Sequence, residues 1–292
     1  MRGGHRSYFS LRMRKGLTHY IRIRSPKILG LREPSTRQES LRFFASIRDT
    51  VLKGGNGVIL DFSLLNTVRP TGGLLLVAEL DRIKKLSSNP SLLRCKSARD
   101  GSLADQVLNQ IGAYQMLGHS PKRPALDQSV VHWRSATGLK AEGVDAGTML
   151  EECEGELAPA LRTSLYNGIV EAMTNAVHHA YIRIRRDGIN RQGETRWWLF
   201  SEQREGSLFI AFCDLGIGIP ESLPVKHSGL KTILSKFGRD RLDVEAIKLA
   251  TKLGETRTSQ GNRGNGLSQI LDAARKAEQG SCVIYSNRGQ VG

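Results

Sequence analysis

Three stretches of this chain combine residue types that bind ions, phosphates or planar bases. Between Leu165 and Ala180, apolar Leu165, Ile169, Met173, Ala176 and Ala180 recur at helical spacing and mark a buried helix face. Glu171, Asn175 and His178 or His179 recur three or four positions apart on another strip, forming one polar line. An asparagine carbonyl is a hard oxygen ligand suited to magnesium, which keeps its remaining coordination for phosphates and water. Glu171, one turn earlier, is placed to orient or deprotonate a nucleophile. The same strip also fits a solvated polar face with no ligand.

The second stretch is the apolar run Leu208 to Cys213, followed by Asp214-Leu215-Gly216-Ile217-Gly218. A strand ending in an aspartate and a Gly-x-Gly loop sets a carboxylate at a pocket edge, and the glycines let backbone approach a planar ligand. Asp214 is suited to accept a hydrogen bond from an exocyclic amine such as that of adenine, or to cap a plain turn. The third stretch, Gly261-Asn262-Arg263-Gly264-Asn265-Gly266-Leu267-Ser268, runs into a helix expected over 267–277. Glycine-rich backbone at a helix N-terminus offers amides and a favourable dipole to phosphates. Its spacing is neither that of a P-loop nor that of the dinucleotide fingerprint.

In this order the three stretches resemble the GHKL ATPase superfamily, which includes gyrase and histidine-kinase ATPase domains. Its N box is similar to Glu171-Ala-Met-Thr-Asn175-Ala-Val-His-His179, its G1 box to Asp214-x-Gly216-x-Gly218, and its G2 box to Gly264-x-Gly266-Leu267. The resemblance covers 147–292 and implies a Bergerat α/β sandwich, helices layered on a mixed sheet, with ATP and Mg2+ as cofactors. It implies Glu171 as catalytic base, Asn175 as magnesium ligand, His179 as a further nucleotide contact and Asp214 as reader of adenine. Gly216 and Gly218 would form the loop beside Asp214. Gly264, Gly266 and Leu267 would form the phosphate loop, with Arg257 and Arg263 as candidate phosphate contacts and 221–260 as a lid. Such domains usually close with one more strand after that at Cys282 to Ser286, so the expectation is a chain cut short or a last strand supplied from elsewhere.

Within the superfamily the N box is most similar to that of anti-sigma-factor serine kinases, on Glu171, Asn175, His179 and Tyr181. None of the 7 histidines is followed by Glu or Asp, so the phospho-acceptor box of a sensor histidine kinase is missing.

These motifs need a scaffold, and the hydrophobic pattern supplies one. Tyr20-Ile21-Arg22-Ile23 reads as a strand, 36–53 as a helix, Val58 to Phe62 as a buried strand, 72–86 as a helix, Leu92 to Cys95 as a strand and 102–117 as a helix. The reading is a two-domain α/β protein: a basic leader over 1–16, a β/α unit over 17–118, a linker over 119–146 and the nucleotide-binding unit over 147–292. In the last, helices are expected over 159–182, 241–253 and 267–277, with strands at Trp197 to Phe200, Leu208 to Cys213 and Cys282 to Ser286. The strand at 58–62, a loop and Thr71-Gly72-Gly73-Leu74 opening a helix resemble a STAS domain. Thr71 then falls at the phospho-acceptor position, though Pro70 stands where that family has an acidic residue. The same residues also read as a generic turn with Thr71 as N-cap.

The combined resemblance implies a Ser/Thr protein kinase or regulatory switch in an anti-sigma-like system, with a STAS-like or sigma-like regulator as protein partner. The alternative is an ATP-driven conformational or dimerisation switch of the gyrase kind, and a homodimer is compatible with either.

Composition sets outer bounds. With 292 residues, 39% of them hydrophobic, the chain can bury one large core or two modest ones. No apolar run approaches a membrane span or signal-peptide core, and Cys95, Cys153, Cys213 and Cys282 show no C-x-x-C pair, so a cytoplasmic protein with reduced thiols is expected. The net charge is +15, and residues 1–50 hold 12 basic against 3 acidic residues. That basic N-terminus is either a solvated segment or an attraction to nucleic acid or another acidic partner.

Overall fold

Short apolar runs alternating with amphipathic stretches build the first part of the chain as strand and helix in turn. The computed structural model describes residues 19–87, 89–119, 125–151, 157–189, 195–204, 206–226, 229–234, 237–256, 266–277 and 279–292. The chain begins with β1 (Tyr20–Arg24), β2 (Ile28–Leu29), α1 (Pro34–Arg48), β3 (Gly57–Asp61) and β4 (Thr67–Val68). Then come α2 (Pro70–Leu86), β5 (Leu93–Lys96), α3 (Leu103–Gln110) and α4 (Ala113–Met116). A parallel sheet has the order β1-β3-β5, and β2 pairs in parallel with β4. The helix expected over 36–53 starts at Pro34 and passes after Arg48 into a π turn over Asp49–Lys53. The helix expected over 102–117 breaks at Gly112, whose φ of 75° is a left-handed conformation that favours glycine.

Helix α2 enters against β2. A Cβ on Gly72 would strike the Leu29 carbonyl, and one on Gly73 would press against Val68 and Trp133. The paired glycines are therefore a close-approach device. Arg69 occupies the N-cap and Pro70 the first turn, so Thr71 lies inside the helix and is not its cap.

The second part contains α5 (Gln128–Val131), β6 (Arg134–Gly138), α6 (Val144–Glu151), α7 (Pro159–Asn175), β7 (Trp197–Arg204) and β8 (Ser207–Asp214). It continues with α8 (Ile219–Lys226), α9 (Leu230–Leu234), α10 (Arg239–Thr256), α11 (Gly266–Lys276), β9 (Ile284–Ser286) and β10 (Gly289–Val291). Strands β6, β7 and β8 form an antiparallel sheet in that order. β6 lies inside the segment read as a linker, and Arg-Ser-Ala-Thr-Gly offers no apolar run to announce an edge strand. A further strand after Ser286 is present: β10 pairs with β9 as a separate hairpin.

The antiparallel sheet is covered on both faces. Trp197 and Leu199 pack with Ile169, Met173 and Ala176 on one side. Trp198, Phe200, Ala211 and Leu215 join the core built by α1, α2 and β3 on the other. Strand alternation thus splits neighbouring tryptophans between two cores. The molecule is a mixed α/β fold in which α2 packs directly on β7 and β8. Among the described residues no helix is long and apolar enough to cross a membrane.

Candidate nucleotide site

Helix α7 turns Gly168, Ile169, Ala172 and Met173 inward and leaves Glu171 and Asn175 half-buried. Asn175 Nδ2 donates to Glu171 Oε1 at 3.3 Å, so the two residues act as a pair along the helix. With its nitrogen turned to Glu171, Asn175 has its carbonyl oxygen as the group for a cation. The helix then widens into a π turn over Ala176–Ala180, a feature common at functional sites. The π turn interrupts the spacing that would set His179 directly beneath Asn175. His179 is half-buried and His178 exposed, with ring centroids 6.1 Å apart.

The end of the π turn is fastened to the loop after β8. The Ile217 amide donates to the Ala180 carbonyl at 2.7 Å, and a Cβ on Gly216 would overlap that same carbonyl. The Tyr181 hydroxyl donates to the Arg196 carbonyl and accepts from the Leu215 amide at 3.0 Å. Asp214 Oδ1 accepts from the Gly216 amide at 2.9 Å. Ile210 and Phe212 pack with the α7 core, so Asp214, in the same alternation, faces α7 as well.

The β9–β10 hairpin supports the loop from behind. Ser286 Oγ accepts from the Ile219 amide at 2.8 Å, and Asn287 Nδ2 donates to the Ile217 carbonyl at 3.3 Å. Gly218 has φ 82°, and a Cβ there would lie 2.8 Å from Ser286 Oγ. Both glycines of the loop are therefore fixed by packing.

Burial pushes the Asp214 carboxyl above its ordinary value, although the Gly216 amide and the Arg185 charge pull the other way. Burial also raises the Tyr181 hydroxyl and the Cys213 thiol, helped in each case by the charge of Asp214.

Arg185 links this loop to the first part of the chain. Its Nη1 reaches the Leu215 carbonyl at 3.5 Å, while its other nitrogens lie 3.5 Å from Glu79 Oε1 and from Asp187 Oδ2. Arg48 pairs with Glu79 at 2.8 Å and with Asp187 at 3.4 Å, and Arg82 pairs with Asp187 at 2.8 Å. Arg82 also donates to the Ile189 carbonyl. Burial alone would raise Asp187, but the Arg82 hydrogen bond, the Ile189 amide and the Arg185 and Arg82 charges hold it below the usual carboxylate value. Three guanidiniums share two carboxylates here, and Glu79 has a side chain only 3% exposed.

Helix α11, opened by Gly266, lies along α7. Gly168 admits the Ile270 backbone, whose Cα would be 3.2 Å from a Cβ at that position, and Lys276 Nζ donates to Ser164 Oγ at 2.7 Å. Leu267 is half-buried in its first turn, whereas Arg257, Arg263 and Gly264 lie outside the described residues. The segment read as a lid contains α8, α9 and α10. Ala246 and Ile247 of α10 are fully buried, and Asp243 accepts from the Arg288 amide at 3.0 Å, so α10 is built into the fold beside the hairpin.

The structure therefore brings Glu171, Asn175, Asp214, Gly216 and Gly218 into one connected unit, with α11 beside it. Thr71 does not join them. It belongs to α2, across the sheet from α7, and its half-buried hydroxyl accepts from the Leu31 amide at 3.3 Å. Arg185, Asp187, Ser286 and Asn287 carry no motif in the sequence that marks them.

Among the described residues no group of three or more His, Cys, Asp or Glu is placed to hold a metal. Magnesium does not need one, because it binds through one or two protein oxygens plus phosphates and water. The Asn175 and Glu171 oxygens fit that role. No protein-family model, no curated protein and no solved structure matches this chain.

Proposed function

We propose that this chain binds Mg-ATP on the α7 face of the β6-β7-β8 sheet and acts as a Ser/Thr protein kinase or regulatory switch of the GHKL kind. The observation that carries the reading is the Ala180–Ile217 bond, which joins the Glu171–Asn175 helix to the Asp214-x-Gly216-x-Gly218 loop. In this reading Asp214 accepts from the adenine amine, Asn175 ligates magnesium and Glu171 takes the proton of the attacking hydroxyl or water. Gly266 and Leu267 open the helix whose N-terminus would face the phosphates, with Arg263 and Gly264 just before it. The acceptor hydroxyl belongs to another chain, because Thr71 is across the sheet and already accepts a backbone hydrogen bond.

One observation favours the alternative of a conformational or dimerisation switch. The second face of the sheet carries α2, and Arg185 runs from the Leu215 carbonyl to Glu79, a direct route by which closure around nucleotide would reach the STAS-like unit.

The test is incubation of the wild-type chain and Glu171→Ala with Mg-ATP, with and without candidate STAS-like partners, read by intact mass and released phosphate. A phosphoryl adduct on a partner, absent with Glu171→Ala, supports the kinase. Phosphate release without an adduct supports the switch, and no nucleotide binding by the wild type removes both.

A further inference from the structure

Among the described residues, no helix packs on one face of the β1-β3-β5 sheet. Its register sets Arg22 beside Ile59, Arg24 beside Asp61, Ile59 beside Arg94 and Asp61 beside Lys96. Val58 and Leu60 of β3 point the other way and are fully buried in the core with α1 and α2. By alternation Arg22, Arg24, Arg94 and Lys96 therefore share the opposite face, and all four are exposed. All-parallel sheets normally have both faces covered. Among the described residues this face is left to cations, a departure that asks for a ligand.

The arrangement has the form of a shallow trough. Two rows of cations, Arg22 with Arg24 and Arg94 with Lys96, stand two strand spacings apart, about 10 Å, on either side of β3. The floor between them is Gly57, half-buried Ile59 and Asp61, whose carboxylate is buried, accepts from the Ser63 amide at 3.0 Å and lies 3.8 Å from Arg22. At one end the Tyr20 ring covers Gly57, its hydroxyl donates to the Ser91 carbonyl at 2.8 Å, and the Arg94 guanidinium stacks over it at 4.2 Å. The leader cations Arg2, Arg6, Arg12, Arg14 and Lys15 enter the chain just before β1.

We infer that this face binds single-stranded nucleic acid. A cationic trough tracks a phosphate backbone, and an aromatic ring with a stacked guanidinium gives bases a platform that does not depend on their sequence. Three of the four cations are arginine, whose planar fork suits phosphate. An acidic polypeptide would use the charge but not the Tyr20–Arg94 stack, so the stack decides between them. The inference is independent of the nucleotide site on α7.

The test measures anisotropy of a labelled oligouridylate of about 16 nucleotides, the upper site size of comparable single-strand binders. The 292-residue chain is used with Arg2, Arg6, Arg12, Arg14 and Lys15 changed to Gln, so that the sheet face alone is read. Four phosphate contacts give a slope near −3 in log affinity against log salt, or about a fifty-fold loss between roughly 50 and 200 mM. Arg22→Gln with Arg94→Gln, and separately Arg24→Gln with Lys96→Gln, should each halve that slope, with a cooperative urea transition showing that each variant is folded. Absence of binding at the lower salt overturns the inference, as does binding that neither double variant weakens. Displacement of the RNA by polyglutamate at equal charge concentration also overturns it, in favour of an acidic protein partner.

Discussion

The Ile217 amide and the Ala180 carbonyl meet at 2.7 Å, and that bond holds the π turn after the Glu171–Asn175 helix against the loop after Asp214. It forms only because Gly216, the preceding residue, has no side chain to collide with the same carbonyl. Gly216→Ala should therefore push the loop off the helix, costing about 1–3 kcal/mol as an overpacked contact does. Nucleotide affinity should fall at least tenfold. Urea unfolding and titration with a fluorescent ATP analogue check the two effects, and unchanged affinity would remove the bond from the site.

Asp214 separates binding from stability. Its carboxyl is pushed up by burial, so the folded state retains a proton that the unfolded state releases. A group with a raised folded value contributes no penalty below its ordinary value, and stability is lost as pH rises through the folded value. Asp214→Asn removes this dependence while keeping an oxygen that accepts from the Gly216 amide. The variant should gain stability relative to wild type as pH rises from the ordinary aspartate range toward neutrality, and the two should converge in acid. Adenine-nucleotide binding should drop by at least tenfold. Unfolding curves across pH, paired with nucleotide titrations, measure both; a variant less stable than wild type at neutral pH contradicts the assignment.

Much of this site was legible in the sequence because helix α7 and strand β8 carry their own periodicity. Ile169 and Met173 announce a helix with Asn175 on its other strip, and the run from Leu208 to Cys213 announces a strand that ends at Asp214. What stayed hidden depends on partners remote in sequence. Trp198 and Trp197 look alike in a one-dimensional pattern, yet they belong to different cores because α2 covers one face of their sheet. β6 has no apolar run, since an edge strand with alternating half-buried residues needs none. Nothing near Arg185 and Asp187 in sequence marks them, because their partners Arg48, Glu79 and Arg82 come from α1 and α2.

Asp187 should give the fold an acid limit. Burial works against its charge, but Arg82, the Ile189 amide and Arg185 outweigh it, and its folded value is depressed. A depressed carboxylate contributes stability that is present above its unfolded value, near 3.8, and is lost as pH falls through the folded one. Asp187→Asn should destabilise the chain by about 3–5 kcal/mol at neutral pH, because it leaves Arg82 and Arg48, 12% and 13% exposed, together with Arg185 on one carboxylate. The deficit should shrink in acid, where wild type loses the same charge. A double-mutant cycle with Arg82→Met should show a coupling well above the ~0.5 kcal/mol expected of unrelated positions, and additive losses would mean the pair does not interact.

Glu79 belongs to α2, on the far side of the sheet from α7, yet it should affect nucleotide binding. It holds Arg48 at 2.8 Å and Arg185 at 3.5 Å, and Arg185 in turn reaches the Leu215 carbonyl beside Asp214. Glu79→Gln leaves the three guanidiniums facing Asp187 alone, and mutual repulsion should drive Arg185, the most exposed of them at 26%, out of the cluster. Leu215 then loses a donor, and Asp214 loses the Arg185 charge that opposes its burial, so its carboxyl should move further upward. The nucleotide-binding pH profile separates this from simple loss of structure. If Glu79 acts through Arg185, affinity in Glu79→Gln should fall several-fold at neutral pH, and Glu79→Asp should restore part of it. Arg185→Met should give the same change, and the Glu79→Gln and Arg185→Met double variant should be no worse than either single one. Independent, additive losses from the two positions would show that the buried cluster stabilises the fold without reaching the site.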